Sequence, residues 1–375
     1  MKKWTEEELK LLEKYYNEGL TYRQIARLIG RSEDAVDHAL RNYRHVLELN
    51  RSREHRKYSY RQIFEEVKSY IDDNLEIILE KNFQYFNKIP FKGSYKKEKQ
   101  SEDLVGLLSD MHIGSVNKAP ITGGITFNDD ILKKEVTNYI QGVKRFYELY
   151  KPSYNIEHFY VFDLGDIITG DRIYQGQLYE ITRSVGQQVV LALDYLSHII
   201  VKMSEIFPRV TYIKMVGNHG RSYSDKNIAE PIENNFEYLL GLLLKERFKS
   251  NKRVNIVLPN DYFYSVQIRN HKYLLMHGDY IRGTVLTTIE KAVKEITLLL
   301  GRDFHEVITI GHFHSTHELP IGSESTLLIN GCFIYKDSYA YKRLRKFSVA
   351  KQLLFNVSKK SALHNLQKID LRWSL

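Results

Sequence analysis

The chain has 375 residues, of which 43% are hydrophobic, and its 55 Lys and Arg against 46 Asp and Glu give a formal net charge of +9. The only cysteine, Cys332, excludes a disulfide framework and fits a reducing compartment. No apolar run reaches the roughly 20 residues that span a bilayer, and the N-terminus has no apolar signal core, so we expect a cytoplasmic protein with no membrane partner. The positive charge favours polyanionic partners such as DNA.

The start of the chain is predicted to be a small all-α domain of three short helices. Thr5 with Glu8, and Thr21 with Gln24, have the spacing of capping boxes, so each pair marks the start of a helix. Ser32 is placed to cap a third helix, after a glycine that ends the second. Two helices joined by a tight glycine turn are typical of a helix-turn-helix.

Trp4, residues 22–26 and residues 30–36 together resemble the Myb/homeodomain-like class of helix-turn-helix domains. In that class the third helix enters the major groove of DNA. The resemblance implies that this domain binds DNA, and its exposed basic face is expected to comprise Arg31, His38, Arg41 and Arg44. A three-helix module that binds another protein is the alternative.

A helical linker is predicted at 51–103, which gives the division 1–50, 51–103 and 104–375. After a stretch dense in positive charge, residues 59–89 carry apolar side chains at helical spacing, and Pro90 closes that run. The polar residues that follow are typical of a linker. The helical part would brace the two domains or pair with another copy, so a homodimer is one expected arrangement.

From residue 104 onwards short apolar runs alternate with amphipathic helical patterns, which predicts an α/β domain. The predicted strands are 104–108, 159–162, 210–215, 273–276, 307–310 and 326–329. The predicted helices are 128–150, 185–206, 229–249 and 284–300. The C-terminal part is predicted to be mainly strands, at 326–331, 347–356 and 363–371.

Five of the apolar runs end in side chains that bind metals. The candidate ligands are Asp110, His112, Asp166, Asn218, His277, His312 and His314, with His219 beside Asn218. Ligands of open α/β sheets gather beyond the carboxyl ends of the strands, so we expect these residues to meet. Carboxylate, imidazole and amide oxygen together suit a pair of divalent cations. Each motif alone is weak, but the set predicts a dinuclear metal site.

In this order the motifs Asp-x-His, Gly-Asp, Gly-Asn-His, His and Gly-His-x-His resemble those of the calcineurin-like metallophosphoesterases, over about residues 104–330. The resemblance implies an α/β fold, a four-layer-type metallophosphoesterase β-sandwich flanked by helices, beside the all-α N-terminal domain. It implies one ion held by Asp110, His112 and His314, and another held by Asn218, His277 and His312. Asp166 would bridge the two ions, and His219 would protonate the leaving oxygen or stabilise the transition state.

The chain departs from that family at two positions next to the predicted site. The family's Gly-Asn-His motif continues with Asp or Glu, where this chain has Gly220, and an acidic residue after Gly-Asp is replaced by Thr169. If the missing carboxylates orient His219, another group must fix its tautomer. We expect metal binding to persist because the ligands themselves are present.

Two stretches point to the substrate class. Residues 165–177 resemble the exonuclease small subunit of archaeal family-D DNA polymerases, in which Gly-Asp is followed by Gly, Ile-Tyr and Gly-Gln, and Arg172 lies in this stretch. Residues 335–346 interleave tyrosines with cations, as in surfaces that stack bases and follow phosphates. We therefore expect nucleic-acid contacts from Arg172, Lys342, Arg343 and Arg345. A solvated loop is the alternative for the second stretch.

The predicted function is a metal-dependent phosphodiesterase, a DNA exo- or endonuclease that its N-terminal domain brings to DNA, in a bacterial or phage-infected cell. Two divalent ions are implied, and Mn²⁺ is favoured because mixed ligation suits it and the family often uses it, with Fe, Zn and Mg as alternatives. Two other functions stay open. One is a phosphomonoesterase acting on protein or nucleotides, with the N-terminal helices as a docking module. The other is a non-catalytic DNA-binding protein with a vestigial metal site.

Overall fold

A computed structural model describes residues 4–18, 20–43, 47, 100–118, 123–223, 230–283, 285–300, 304–336, 341 and 348–372. The chain divides into two compact units, Met1–Leu75 and Glu76–Leu375. Of the predicted linker, only residues 100–103 lie among the described residues, and they belong to a strand. The first sheet therefore begins before the predicted boundary at residue 104.

The described part of the N-terminal unit contains three helices, as predicted: α1 (Glu6–Asn17), α2 (Tyr22–Ile29) and α3 (Glu33–Asn42). Both predicted capping boxes are present, with Thr5 and Thr21 as the N-caps. Ser32 caps α3 by accepting the backbone N–H of Ala35. Gly30 has a φ of 75°, and this left-handed conformation turns the chain sharply between α2 and α3. The helices enclose a small core of Leu12, Ile25, Ala26, Val36, Ala39, Leu40 and Leu47.

The second unit is a mixed α/β structure, which confirms the predicted class. Its described helices are α4 (Asp129–Tyr150), α5 (Val185–Ile206), α6 (Phe236–Phe248) and α7 (Leu286–Leu299). Its described strands are β1 (Gln100–Leu108), β2 (Asn117–Lys118), β3 (Ile125–Phe127), β4 (Tyr154–Asp163), β5 (Arg209–Lys214), β6 (Val254–Val257), β7 (Phe263–Ile268), β8 (His271–Met276), β9 (Val307–Ile310), β10 (His317–Ile321), β11 (Ser325–Ile329), β12 (Lys351–Val357) and β13 (His364–Asp370).

Most of these strands form two sheets. The first has the order β13-β12-β1-β4-β5-β6 and the second the order β10-β11-β9-β8-β7. In the first sheet β1, β4, β5 and β6 run parallel to one another. In the second sheet β8, β9 and β11 are parallel. The carboxyl ends of β1, β4 and β5 therefore lie side by side, and so do those of β8 and β9.

Three hydrophobic cores hold the sheets and helices together. One is shared by the first sheet with α4, α5 and α6, a second by the two sheets, and a third by the second sheet with α7. Strand β1 shows how the sequence supplies both faces of a sheet. Leu104 and Leu108 belong to the core on the helical side, whereas Val105 and Leu107 belong to the core between the sheets. Burial on both faces explains why this strand is a continuous apolar run.

Several predicted boundaries differ from the structure. The helix predicted at 229–249 begins at Phe236, because Pro231 opens a short 3₁₀ turn and Asn235 then caps the helix by accepting the backbone N–H of Glu237. The strand predicted at 347–356 is observed as β12 and starts later. Strands β2, β3, β6, β7 and β10 were absent from the prediction.

Some predictions concern parts of the chain that the structure does not describe. They are the helical run 59–89 and the cationic side chains of Arg44, Lys342, Arg343 and Arg345, all outside the described residues. Within the described ranges, none of the helices has the length and apolarity that crossing a bilayer would need.

Candidate metal site

The predicted site residues all lie in loops that follow strands at the two neighbouring sets of carboxyl ends. Asp110 and His112 follow β1, and Asp166 follows β4. The remaining residues follow β5, β8 and β9, in that order: Asn218 and His219, His277, and His312 and His314. The parallel arrangement of these strands brings together side chains that are more than 200 positions apart in the chain, such as Asp110 and His314.

One group of candidate ligands consists of Asp110, His112 and His314, whose ligand atoms all lie within 4.8 Å of one another. Nε2 of His112 is 3.0 Å from Nε2 of His314, and the latter is 3.4 Å from a carboxylate oxygen of Asp110. Nitrogen ligands about 2.1 Å from a cation, at a right angle to each other, are about 3 Å apart. The facing imidazoles therefore have the separation that a shared cation requires.

A second group consists of Asp166, His277 and His312, within the same 4.8 Å limit. Nε2 of His277 is 3.0 Å from a carboxylate oxygen of Asp166 and 3.1 Å from Oδ1 of Asn218. Nδ1 of His277 lies 2.7 Å from the carbonyl oxygen of Leu164. Donation of the Nδ1 proton to that carbonyl leaves Nε2 as the nitrogen that faces the site.

Asp166 connects the two groups. Its carboxylate also forms a group of candidate ligands with His112 and His219, so it lies next to members of both sets. The two histidines of the His-x-His motif divide between the sets, with His312 on the His277 side and His314 on the Asp110 side. The arrangement fits a two-cation centre with a shared carboxylate.

His219 is held by a group that the sequence did not reveal. Its Nδ1 is 2.7 Å from the backbone carbonyl of Thr169, and its own backbone N–H donates to Asp166 over 2.8 Å. When Nδ1–H donates to that carbonyl, Nε2 is the nitrogen that faces the site, 3.9 Å from a carboxylate oxygen of Asp166. The residue that replaces the expected carboxylate thus orients His219 through its main chain.

The backbone at several site residues adopts the left-handed conformation. The φ angles are positive at Asp110 (53°), His112 (47°), Asp166 (55°), His312 (65°) and His314 (51°). Non-glycine residues rarely adopt this region, and each costs about 1 kcal/mol or more. Strain is therefore concentrated at the residues that point their side chains into the site.

A fully buried carboxylate on α6 anchors two of the loops. One oxygen of Glu237 accepts the backbone N–H groups of Ile167 and Ile168, at 2.5 and 3.1 Å. The other accepts the backbone N–H of Gly217 at 3.0 Å and the ammonium of Lys214 at 2.9 Å. These contacts tie the loop that carries Asp166 to the loop that carries Asn218 and His219.

Lys214 balances the charge in this network. Its ammonium also contacts the carboxylate of Asp163 at 3.2 Å, and none of the three side chains is exposed to solvent. Burial alone would lower the pKa of Lys214, but the two carboxylates raise it above its ordinary value. Burial raises the pKa of Asp163 to about 6, against the opposing effect of Lys214. The sign in the sequence that could have revealed this network is Lys214 itself, a cation between the apolar residues Ile213 and Met215.

The structure explains why residue 220 is a glycine and not the acidic residue that the family has there. A Cβ atom there would lie 2.1 Å from Oδ1 of Asn235 and 2.7 Å from Cγ of Glu237. Asn235 donates from Nδ2 to the carbonyl of Gly217 over 2.9 Å. Side chains from the start of α6 therefore occupy the space next to Gly220 that an acidic side chain after His219 would need.

The electrostatics of the candidate ligands favour metal binding. Burial lowers the pKa of His112 and of His312 well below the ordinary histidine value, so both are neutral and offer a lone pair. Burial acts in the same direction on His277, but the charge of Asp166 outweighs it and raises the pKa of His277 to about 10. A cation that binds between Asp166 and His277 would replace that proton.

The site opens into a cavity of about 370 Å³. Its lining includes Asp166, four histidines of the site, and a loop that carries Ile173, Tyr174 and Glu180. The hydroxyl of Tyr174 donates to Glu180 over 2.6 Å. The cavity has room for a group larger than a phosphate next to the candidate ligands.

The predicted nucleic-acid contacts have different surroundings. Arg31 is largely enclosed: it makes a bidentate ion pair with Glu8, at 3.0 and 2.7 Å, and packs on the ring of Trp4. Arg41 is exposed but paired with Asp37, and His38 is exposed. The side chain of Arg172 is 55% exposed and lies 3.7 Å from Asp171. Arg31 therefore has a structural role within its unit, whereas His38, Arg41 and Arg172 face solvent.

No protein-family model and no curated protein matches the chain. Among solved structures, vacuolar protein sorting 29 from Cryptosporidium parvum is 14% identical over 72% of this chain and 98% of that chain, with a TM-score of 0.31. Vps29 from Entamoeba histolytica, solved in complex with Zn²⁺, is 12% identical over 72% and 99%, with a TM-score of 0.29. The phosphoesterase YfcE from E. coli is 12% identical over 71% and 99%, with a TM-score of 0.31. At these TM-scores, functional inference for this chain depends on its own residues.

Proposed function

We propose that the chain is a metal-dependent phosphodiesterase of the calcineurin-like metallophosphoesterase type that cleaves the DNA backbone. The observation that carries this proposal is the convergence of the strand-end ligands into two adjoining sets, with Asp166 in one set and next to His112 of the other. Imidazole, carboxylate and amide oxygen are a donor set for two borderline or hard divalent cations, of which Mn²⁺ is favoured and Fe, Zn and Mg are alternatives.

The ligand assignment follows the two sets. Asp110, His112 and His314 would hold one cation; Asn218, His277 and His312 would hold the other; Asp166 would contact both. Bound there, two divalent cations supply a nucleophile from water at neutral pH and neutralise charge that develops on phosphate oxygens. The chain's own contribution is to hold the ligands in place through the loop contacts of Glu237 and through the carbonyls that fix His277 and His219.

His219 is proposed as the group that acts on the leaving oxygen. Its Nε2 faces the cavity beside Asp166, and its Nδ1–H donates to the carbonyl of Thr169. A protonated Nε2 would donate to the leaving oxygen, and general acid catalysis of this kind contributes about 10²–10⁴-fold. The remaining side chains of the cavity would exclude water and position the substrate.

DNA is proposed as the substrate because three features favour a polyanionic partner. The N-terminal unit has the helix arrangement and resemblance described above, and the exposed His38 and Arg41 lie on its third helix. Arg172 is exposed on the loop whose residues Ile173, Tyr174 and Glu180 line the cavity. The whole chain is positively charged, with a formal net charge of +9.

The test is an assay of the full chain against a single-stranded DNA oligonucleotide and a phosphopeptide, each with a panel of Mn²⁺, Fe²⁺, Zn²⁺ and Mg²⁺. We expect metal-dependent cleavage of the oligonucleotide and none without metal. His219→Ala should keep its metal affinity and lose about 10²–10⁴-fold in kcat. Turnover of the phosphopeptide alone would establish the phosphomonoesterase function instead. Stoichiometric metal binding without cleavage of either substrate would favour the non-catalytic alternative.

A further inference from the structure

The loop that carries Ile173, Tyr174 and Glu180 is held in place by hydrogen bonds from buried side chains. Gln177 is fully buried; it donates to the carbonyl of Thr169 over 2.7 Å and accepts the backbone N–H of Ile173 at 2.7 Å. Gln188 of α5 accepts the backbone N–H groups of Thr169 and Gly170, at 3.1 and 2.8 Å. These two buried amides fix the loop to the body of the unit, so its side chains have defined positions at the cavity.

Tyr174 is the aromatic side chain that this loop places in the cavity. It is 36% exposed, and its hydroxyl is held by Glu180, so the ring has a fixed orientation and an accessible surface. Its ring centroid is 6.3 Å from that of His219, with an angle of 67° between the rings. A leaving group that His219 protonates would therefore be next to Tyr174.

Charge decides what kind of group fits there. Glu180 lines the same side of the cavity, and Ile173 adds an apolar surface. A carboxylate repels a second phosphate, whereas an aromatic ring and an apolar side chain attract a flat, uncharged group. A nucleobase has this character, and base stacking on a tyrosine is a common mode of binding to single strands.

We propose that Tyr174, with Ile173 and Glu180, forms a subsite for the nucleobase on the leaving side of the scissile phosphate. A base that stacks on Tyr174 must be free of its neighbour in the strand on at least one face. The subsite therefore selects single-stranded or frayed DNA over intact duplex. This inference rests on the proposed phosphodiesterase activity and adds the form of the DNA that it acts on.

The experiment is a double-mutant cycle between the protein and the substrate. Full-length wild type and Tyr174→Ala are assayed on a single-stranded oligonucleotide and on the same oligonucleotide with one abasic residue beside the cleaved bond, placed on each side in turn. We expect the abasic residue to lower kcat/KM of the wild type about tenfold, from the loss of one stacked base. Tyr174→Ala should lower kcat/KM on the intact oligonucleotide by a similar factor and respond little to the abasic residue.

Two control variants separate stacking from general damage. Tyr174→Phe keeps the ring and should retain the response to the abasic residue. Tyr179→Ala removes a tyrosine of the same loop that is 94% exposed and not among the described lining residues of the cavity, and it should behave as the wild type. Equal responses of wild type and Tyr174→Ala to the abasic residue, with cleavage intact, would overturn the subsite. Failure of the wild type to cleave any oligonucleotide would instead overturn the proposed activity.

Discussion

The replacement Glu237→Gln tests whether one buried carboxylate holds the candidate metal site together. Glu237 contributes no candidate ligand atom. Its two oxygens accept hydrogen bonds from Ile167, Ile168, Gly217 and Lys214. Glutamine has almost the same volume and keeps a single acceptor oxygen, so the change removes acceptors and charge without leaving a cavity.

The expected loss of stability follows from these contacts. In either orientation of the amide, the NH₂ group faces two donors: the N–H groups of Ile167 and Ile168, or the ammonium of Lys214 and the N–H of Gly217. Hydrogen bonds to a charged group contribute about 1.5–3 kcal/mol each, and breaking a buried ion pair costs about 3–5 kcal/mol. We expect the free energy of unfolding of the metal-free protein to fall by about 3–5 kcal/mol.

The same change should weaken metal binding, because the tied loops carry Asp166 and Asn218. Loss of a group that orients ligands typically lowers metal affinity about 10–100-fold. Urea unfolding of the metal-free protein and calorimetric titration with Mn²⁺ measure the two effects separately. Glu246→Gln is the matched control, since Glu246 lies on the same helix with 65% of its side chain exposed, and it should change neither quantity. Unchanged unfolding and unchanged Mn²⁺ affinity for Glu237→Gln would refute the role assigned to the carboxylate.

Three further predictions concern pH, protons and DNA. Burial raises the pKa of Glu135 to about 9. The stability that the protonated carboxyl contributes is therefore fully present below about pH 4.5 and is lost as the pH rises to about 9. At pH 7 the free energy of unfolding is lower by about 3 kcal/mol than below pH 4.5. Glu135→Gln should flatten the unfolding free energy between pH 5 and 9, and an unchanged slope would exclude this carboxyl as its source. Binding of Mn²⁺ at pH 7.5 should release about one proton from His277, measured calorimetrically in buffers of different ionisation enthalpy; His277→Ala should release less, and an equal release would place the proton elsewhere. Deleting residues 1–50 should weaken DNA affinity and reduce its salt dependence while cleavage of a small diester continues, and an unchanged DNA affinity would assign the N-terminal unit another partner.

The parts of the fold that the sequence predicted are those in which local pattern and burial agree. Strands β1, β4, β5, β8 and β9 each contain a short, largely buried apolar run that stops where a polar cluster begins. The candidate ligands were visible for the same reason. The N-terminal helices were visible because their caps are local: Thr5 and Thr21 bond within three residues of themselves.

The strands that were missed lie where local pattern is weak. Strand β10 is at the edge of its sheet and contains Pro320, a residue that argues against a central strand but is tolerated at an edge. Strand β7 is at the other edge and is only partly buried, so its sequence lacks a clear apolar run. Each of these strands forms a tight antiparallel hairpin with the next strand in the chain, β7 with β8 and β10 with β11, so the sign in the sequence is the short turn between the partners and not a buried apolar run.

The groups that position the ligands were hidden for a different reason. The carbonyl of Thr169 is a backbone group, and any residue type supplies it. Glu237 reaches the loop of Asp166 from a helix 70 positions further along the chain. Such contacts depend on how α6 packs against the first sheet, which the sequence pattern does not specify. Of these groups, Lys214 has a local sign in the sequence, as a cation between Ile213 and Met215.

The left-handed backbone conformation of five candidate ligands is a feature that the site requires and that folding alone does not. Glycine would adopt the positive φ angles of Asp110, His112, Asp166, His312 and His314 without strain. At about 1 kcal/mol or more for each residue, the side chains at these positions reduce the stability of the metal-free protein. Their common feature is a ligand atom directed at one place. Five of the eight described non-glycine residues with a positive φ belong to this one cluster. Strain concentrated in this way is better explained by function than by packing, since a core position with the same φ would be served by glycine.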